Sequence, residues 1–200
     1  MMAVMTVRVD RWGEHGPRPE PNRALDPLFA AMTVAVERVV GCSAADAWAL
    51  VCDVERIGEF SPECVAAWWV PGYPARAVGG RFEGRNRVAG EPEPGEAGGD
   101  WIRPCEVVAY DPPREFAWVV GDRFDGTPFA RWASLVLDHP AGCRIRREFR
   151  HFPDGLSGLR VHVAARPERA GALIAARKQD LRDGMSMTLQ RMSVVLTPSR

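Results

Sequence analysis

The chain has 200 residues, 46% of them hydrophobic, which suits one domain with a tail or two small domains, and is enough for a sizeable core. Its 26 Lys and Arg balance 26 Asp and Glu, so neither a nucleic acid nor an anionic membrane is implied as a partner. Cys42, Cys52, Cys64, Cys105 and Cys143 are scattered, odd in number and without CxxC spacing, which argues against a zinc site or a disulfide framework. With no basic-then-apolar leader and no apolar run near the roughly 18 residues of a membrane span, a reduced cytoplasmic protein is the expectation.

Residues 1–31 read as a flexible extension, because residues 11–27 hold four prolines, two glycines and many charges without any period. A single domain is expected over 32–200, and a chain starting at Met32 would contain all of it. A strand follows at 33–40. Ser43 then caps a short helix at 44–52, and a second short helix at 54–60 stops at Ser61-Pro62. Strands are expected at 65–70, 80–88, 101–110, 114–120, 130–138 and 143–152, with a mobile acidic, Gly- and Pro-rich hairpin loop at 89–99. Pro167 suits the first turn of a long last helix. Its stripe is Ala170, Ile174, Arg177, Leu181, Met185, Thr188, Met192 and Val195, and Gly184 inside it calls for a packing partner or a slight bend.

Seven antiparallel strands with one oily face must bury that face, and only the last helix is long enough to cover it. The expected class is α+β: a helix-grip fold, in which a curved seven-stranded antiparallel sheet wraps a long C-terminal helix, with two short helices after the first strand. In the last strand Cys143, Ile145, Arg147, Phe149 and His151 share one face and Arg144, Arg146, Glu148 and Arg150 the other. The fully charged face must be solvated. The buried face therefore carries Arg147 and His151, and such a mixed lining suits a ligand cavity better than a packed core.

The run VERVVGCSAADAWALVCDVERIGEFSPECV resembles the opening of the SRPBCC superfamily, the START-like, Bet v 1-like proteins of polyketide cyclisation, dehydration and lipid transport. GGRFEGRNRV, WIRPCEVVAYDPPREFAWVVG and GCRIRREFR follow in the order that family uses, so the resemblance covers about residues 33–152 with the final helix in place. The long N-terminal tail is a departure. The resemblance implies the helix-grip fold and a choice among binding proteins, carriers, cyclases and hydrolases, without choosing between them.

Each candidate site residue has two readings. Asn86, on the face of Phe82 and Gly84, either offers its amide to a cavity or bonds a neighbouring backbone group. Arg147 needs a ligand anion or enolate, or an internal acid such as Glu63 or Glu106, with internal pairing favoured. His151 is a general base or a residue exposed at the strand end. Arg177 faces the cavity or, the favoured reading, extends its head to water. Glu63, at the expected entrance, is an acid or, preferably, half of a structural salt bridge. Trp101, Phe116 and Trp118 are expected to face inward, suiting a flat aromatic ligand, with Phe149, Leu181 and Met185 completing the lining.

No nucleophile with a paired base, GxSxG, phosphate loop or metal cluster is seen, and no cofactor is expected. The weak catalytic candidates are Arg147, His151 and Glu63. The leading function is binding of a lipid, polyketide or similar apolar molecule. The alternative is a cofactor-independent cyclase or dehydratase in the same cavity, and a protein-interaction module comes third. The expected partner is a hydrophobic small molecule, with no nucleic acid and no integral membrane; a homodimer stays open.

Overall fold

A computed structural model describes residues 22–87, 99–124 and 126–197. Seven strands form one antiparallel sheet: β1 Thr33–Val40, β2 Cys64–Trp69, β3 Arg81–Arg87, β4 Asp100–Asp111, β5 Glu115–Val120, β6 Ala130–His139 and β7 Gly142–His151. They lie in the order β1-β7-β6-β5-β4-β3-β2, so every neighbour is a chain neighbour except β1, which returns to pair with β7. The expected strands agree with these to within two residues at each end. Residues 88–98, which hold the last residue of the strand expected at 80–88 and all but the last of the loop expected at 89–99, lie outside the described residues, as do residues 1–21 of the expected extension.

The helices sit where local chemistry puts them. The Ser43 hydroxyl accepts from the Asp46 backbone N–H at 3.1 Å and starts α2 (Ala44–Val51), which buries Ala47, Trp48, Leu50 and Val51. After a 3-10 turn at Val54–Arg56 comes α3 (Ile57–Phe60), held close to β2 because Gly58 has no side chain: a Cβ there would lie 2.2 Å from the Val65 carbonyl oxygen. The long α5 (Ala170–Leu196) packs on the concave face, with Ala170, Ile174, Leu181, Met185, Thr188, Leu189 and Met192 buried. Leu189 joins the expected stripe, and Val195 leaves it, being more than half exposed near the helix end. Gly184 has the packing partner its position called for, since an added Cβ would meet the Pro62 ring at 3.4 Å.

The expectation of a flexible extension fails from residue 22 onward. Arg23–Leu25 is a 3-10 turn and α1 (Asp26–Ala30) continues it, with Leu25, Phe29 and Met32 buried in a core cluster beside Val34, Phe149, Leu181 and Met185. Its anchor is Arg160, on a further short helix, α4 (Gly158–Ala164). Arg160 donates to the Asn22 carbonyl at 2.8 Å, to the Pro153 carbonyl and to the Asp26 carboxylate, and its guanidinium lies over the Phe29 ring. Two buried apolar residues are too few for a period, which is why this segment gave no pattern.

Candidate functional site

Register fixes which side chains enter the concave face. Phe82 pairs with Cys105, which pairs with Val120, and all three are core residues; stepping by two from them puts Asn86, Trp101, Trp118, Trp132 and Arg147 on the same side. A bulge at Val65 keeps Cys64 opposite Asn86, on that face too. Several of these residues keep partial exposure beneath α5: Cys64, Asn86, Trp101, Trp118 and Trp132. Solvent therefore reaches the inner face. A surface recess of about 350 Å³ elsewhere, lined by Arg131, Arg146, Glu148 and Arg150, is on the outer side of the sheet, where Arg131 pairs with Glu115 and Arg146 with Glu148.

Arg147 is the exceptional group on this face. It is 6% exposed, no carboxylate among the described residues pairs with it, and its Nε is buried without a hydrogen-bond partner. Neither acid named for it is free. Glu63 accepts from Arg177 with both oxygens at 2.9 Å, and Glu106 accepts from Arg81 at 2.9 Å. What the guanidinium does meet is the face of Trp132, 5.7 Å from the ring centroid. Burial pushes its pKa down to about 10, so it remains a cation at neutral pH. Arg160 is as deeply buried and its Nε is likewise unbonded, but its terminal nitrogens have three acceptors around them.

The curled sheet brings its far edge within reach of this charge. Burial pushes the Cys64 thiol up to about 11, and the Arg147 cation opposes the shift from five strands away in sheet order. Next to Cys64, Asn86 donates its amide to the Gly84 carbonyl at 3.0 Å, the local-bond reading, while keeping part of its surface open. Trp118 and Trp132 are direct cross-strand partners with rings within 8° of parallel and centroids 6.4 Å apart. They form a flat indole floor beside Arg147.

The other expected residues lie around this centre. Phe116 is fully buried between Tyr110 and Trp118, Phe149 packs edge-on against Trp132 as its cross-strand partner, and Leu181 and Met185 are core residues of α5. Glu63 and Arg177 form the favoured structural salt bridge, each about one-third exposed at 34% and 33%, and the turn they hold is also tied to α5 by Arg191 donating to the Phe60 carbonyl. His151 is 2% exposed, so the strand-end exposure reading is corrected. A carbonyl can only accept, so Nδ1–H donates to Phe152 O at 2.7 Å and Nε2 accepts from the Ser157 hydroxyl at 2.8 Å. Phe29 and Phe129 flank the ring, and burial pushes its pKa down to about 4. Both nitrogens are thus engaged away from Arg147. Sequence reasoning did not assign Trp132 and Cys64 to the site. Trp132 was legible from its alternation with Ala130 and Ser134, whereas Cys64 depended on the bulge at Val65.

Among the described residues no group of three or more His, Cys, Asp or Glu could hold a metal ion, and no helix is long and apolar enough to cross a membrane. No curated protein matches the chain. Solved structures do. A Polyketide_cyc-like protein of Corynebacterium glutamicum is 25% identical, with a TM-score of 0.56 over 82% of this chain and 91% of that one. A protein of Mycobacterium smegmatis, 17% identical, matches with a TM-score of 0.54 over 84% and 92%. The di-domain ARO/CYC StfQ of the steffimycin biosynthetic pathway, 10% identical, matches with a TM-score of 0.58 over 82% of this chain and 50% of that one. These last two likenesses concern the fold alone. The model of the polyketide cyclase / dehydrase and lipid transport family matches residues 31–187, and the chain belongs to that family.

Proposed function

We propose that the protein binds a hydrophobic small molecule, a lipid, polyketide or similar compound, between the sheet and α5, with an acidic or enolic end at Arg147. The observation that carries this reading is the buried, unpaired guanidinium. An isolated charge taken out of water costs several kcal/mol, roughly, unless something compensates it. A ligand oxyanion over the indole floor would supply that compensation, and the partly exposed Trp118, Trp132 and Trp101 would receive the apolar body.

A second reading, a cofactor-independent cyclase or dehydratase, draws on the same arginine as a stabiliser of developing enolate charge. It needs a proton carrier, and the two candidates, His151 and Glu63, are both occupied. Binding is therefore the stronger reading. Native mass spectrometry of the purified protein, followed by denaturing extraction, tests it. The expected result is a discrete added mass, absent from Arg147→Met, whose extract is an apolar acid or enol. A bound compound retained equally by Arg147→Met would remove Arg147 from the reading. Failure of wild type to take up any member of a panel of fatty acids and aromatic polyketides would remove the binding function.

A further inference from the structure

Two thiols outside the candidate site are in contact. Cys42 Sγ, in the turn after β1, lies 3.8 Å from Cys143 Sγ on β7, although 101 positions separate them in sequence. The backbone holds them there. Val40 is the register partner of Cys143, and Gly142 adopts φ +125°, where a Cβ would lie 2.3 Å from Val40 O and 2.9 Å from Cys42 N. The two chain segments thus rest on each other at a glycine, and the sulfurs project from neighbouring backbone. Cys42 keeps partial exposure while Cys143 has none. The remaining three cysteines are Cys52 and Cys105, both buried, and Cys64 in the candidate site.

We propose that Cys42 and Cys143 are a peroxide-oxidisable dithiol that closes to a disulfide. The partly exposed Cys42 is the attacking sulfur. Its thiolate takes one oxygen from a hydroperoxide, the O–O bond breaks, and the displaced oxygen leaves as water or alcohol after taking the thiol proton. Cys143 then attacks the Cys42 sulfenic acid; the S–S bond forms, the S–O bond breaks, and hydroxide leaves with the Cys143 proton as water. An S–S bond is about 2.05 Å long, so the sulfurs must close by less than about 2 Å, within reach of a side-chain rotation. Burial holds the Cys143 thiol well above its ordinary pKa, which makes the second step slow and base-accelerated. The loop so closed contains α2, α3 and every strand from β2 to β6, hence Asn86, Trp101, Trp118 and Trp132.

The test uses the full chain, reduced, freed of reductant and exposed to hydrogen peroxide. Denatured thiol titration is expected to fall from five to three, the intact mass to drop by two hydrogens, and a proteolytic map to join the Cys42 and Cys143 peptides. Dithiothreitol should reverse all three, and Cys42→Ser should form no such link while remaining folded. The oxidised chain should melt higher than the reduced one, because the cross-link restricts the unfolded chain. Five thiols persisting, a link between other cysteines, or Cys42 advancing to sulfinic acid without a link would each overturn the proposal. None of these readouts depends on the ligand reading.

Discussion

Arg147 on β7 stands over the indole of Trp132 on β6, guanidinium carbon to ring centroid 5.7 Å, and among the described residues no hydrogen bond or ion pair compensates this cation, which is buried to 94%. A guanidinium lowered to about 10 from an ordinary 12.5 bears a desolvation cost of about 3 kcal/mol in the unliganded protein. Arg147→Met removes the charge and keeps most of the volume. The ligand-free variant should be more stable than wild type by about 1–3 kcal/mol, the loss of the cation–π contact offsetting part of the gain. Urea unfolding of delipidated protein reads this. Equal or lower stability of the variant would mean that the charge has a compensating partner.

His151 makes stability depend on pH. The unfolded histidine takes its proton near the ordinary 6.5, whereas the folded one takes it only near about 4. Between these values the unfolded state binds more protons, so stability is fully present above pH 6.5 and is lost progressively as pH falls toward 4. The interval corresponds to about 3 kcal/mol. Protonation would put a hydrogen on Nε2 against the Ser157 hydroxyl, which must then give up donating to the ring. His151→Gln should flatten this acid limb relative to wild type in unfolding experiments at pH 7 and pH 4.5. An unchanged difference between the two pH values would assign the limb to carboxylates.

Strand patterning made the sheet readable, because a charged outer face forces the inner one. The alternation from Cys143 to His151 placed Arg147 and His151 inside, and both are buried. Partners were less readable. Glu63 and Arg177 are 114 positions apart, and nothing local says that their mutual pairing leaves Arg147 without an acid. Phe116 and Met185 could be placed on the right faces without revealing that packing leaves them little or no free surface. The proximity of Cys42 and Cys143 follows from a glycine turn meeting a strand end, and cysteine spacing carries no trace of it.

The segment before β1 belongs to the folded unit, so a chain beginning at Met32 should be markedly weaker. It would lack Leu25 and Phe29 from the core and leave Arg160 buried without Asp26 or the Asn22 carbonyl. Phe→Ala in a core costs about 3–5 kcal/mol, and a buried charge stripped of its partner costs a similar amount. The truncated chain should lose at least about 4 kcal/mol, and Phe29→Ala alone about 3, in urea titrations. Stability unchanged by truncation would mean that α1 rests on the domain without supporting it.

The Glu63–Arg177 pair should matter little to stability despite its two short contacts. It links the turn after α3 to α5, but each side chain keeps about a third of its surface in water, 34% and 33%. Exposed pairs of this kind contribute about 0–1 kcal/mol, and salt screens them. The clamp has other members, the Pro62–Gly184 contact and the Arg191 bond to the Phe60 carbonyl. Glu63→Gln should therefore cost less than about 1 kcal/mol, a difference that shrinks further at high salt. The substitution also frees Arg177 from its acid while leaving Arg147 untouched. A large loss of ligand affinity in Glu63→Gln with near-normal stability would move the anion-recognising role from Arg147 toward the entrance. Unchanged affinity in Glu63→Gln, set against its loss in Arg147→Met, would keep that role at the buried arginine.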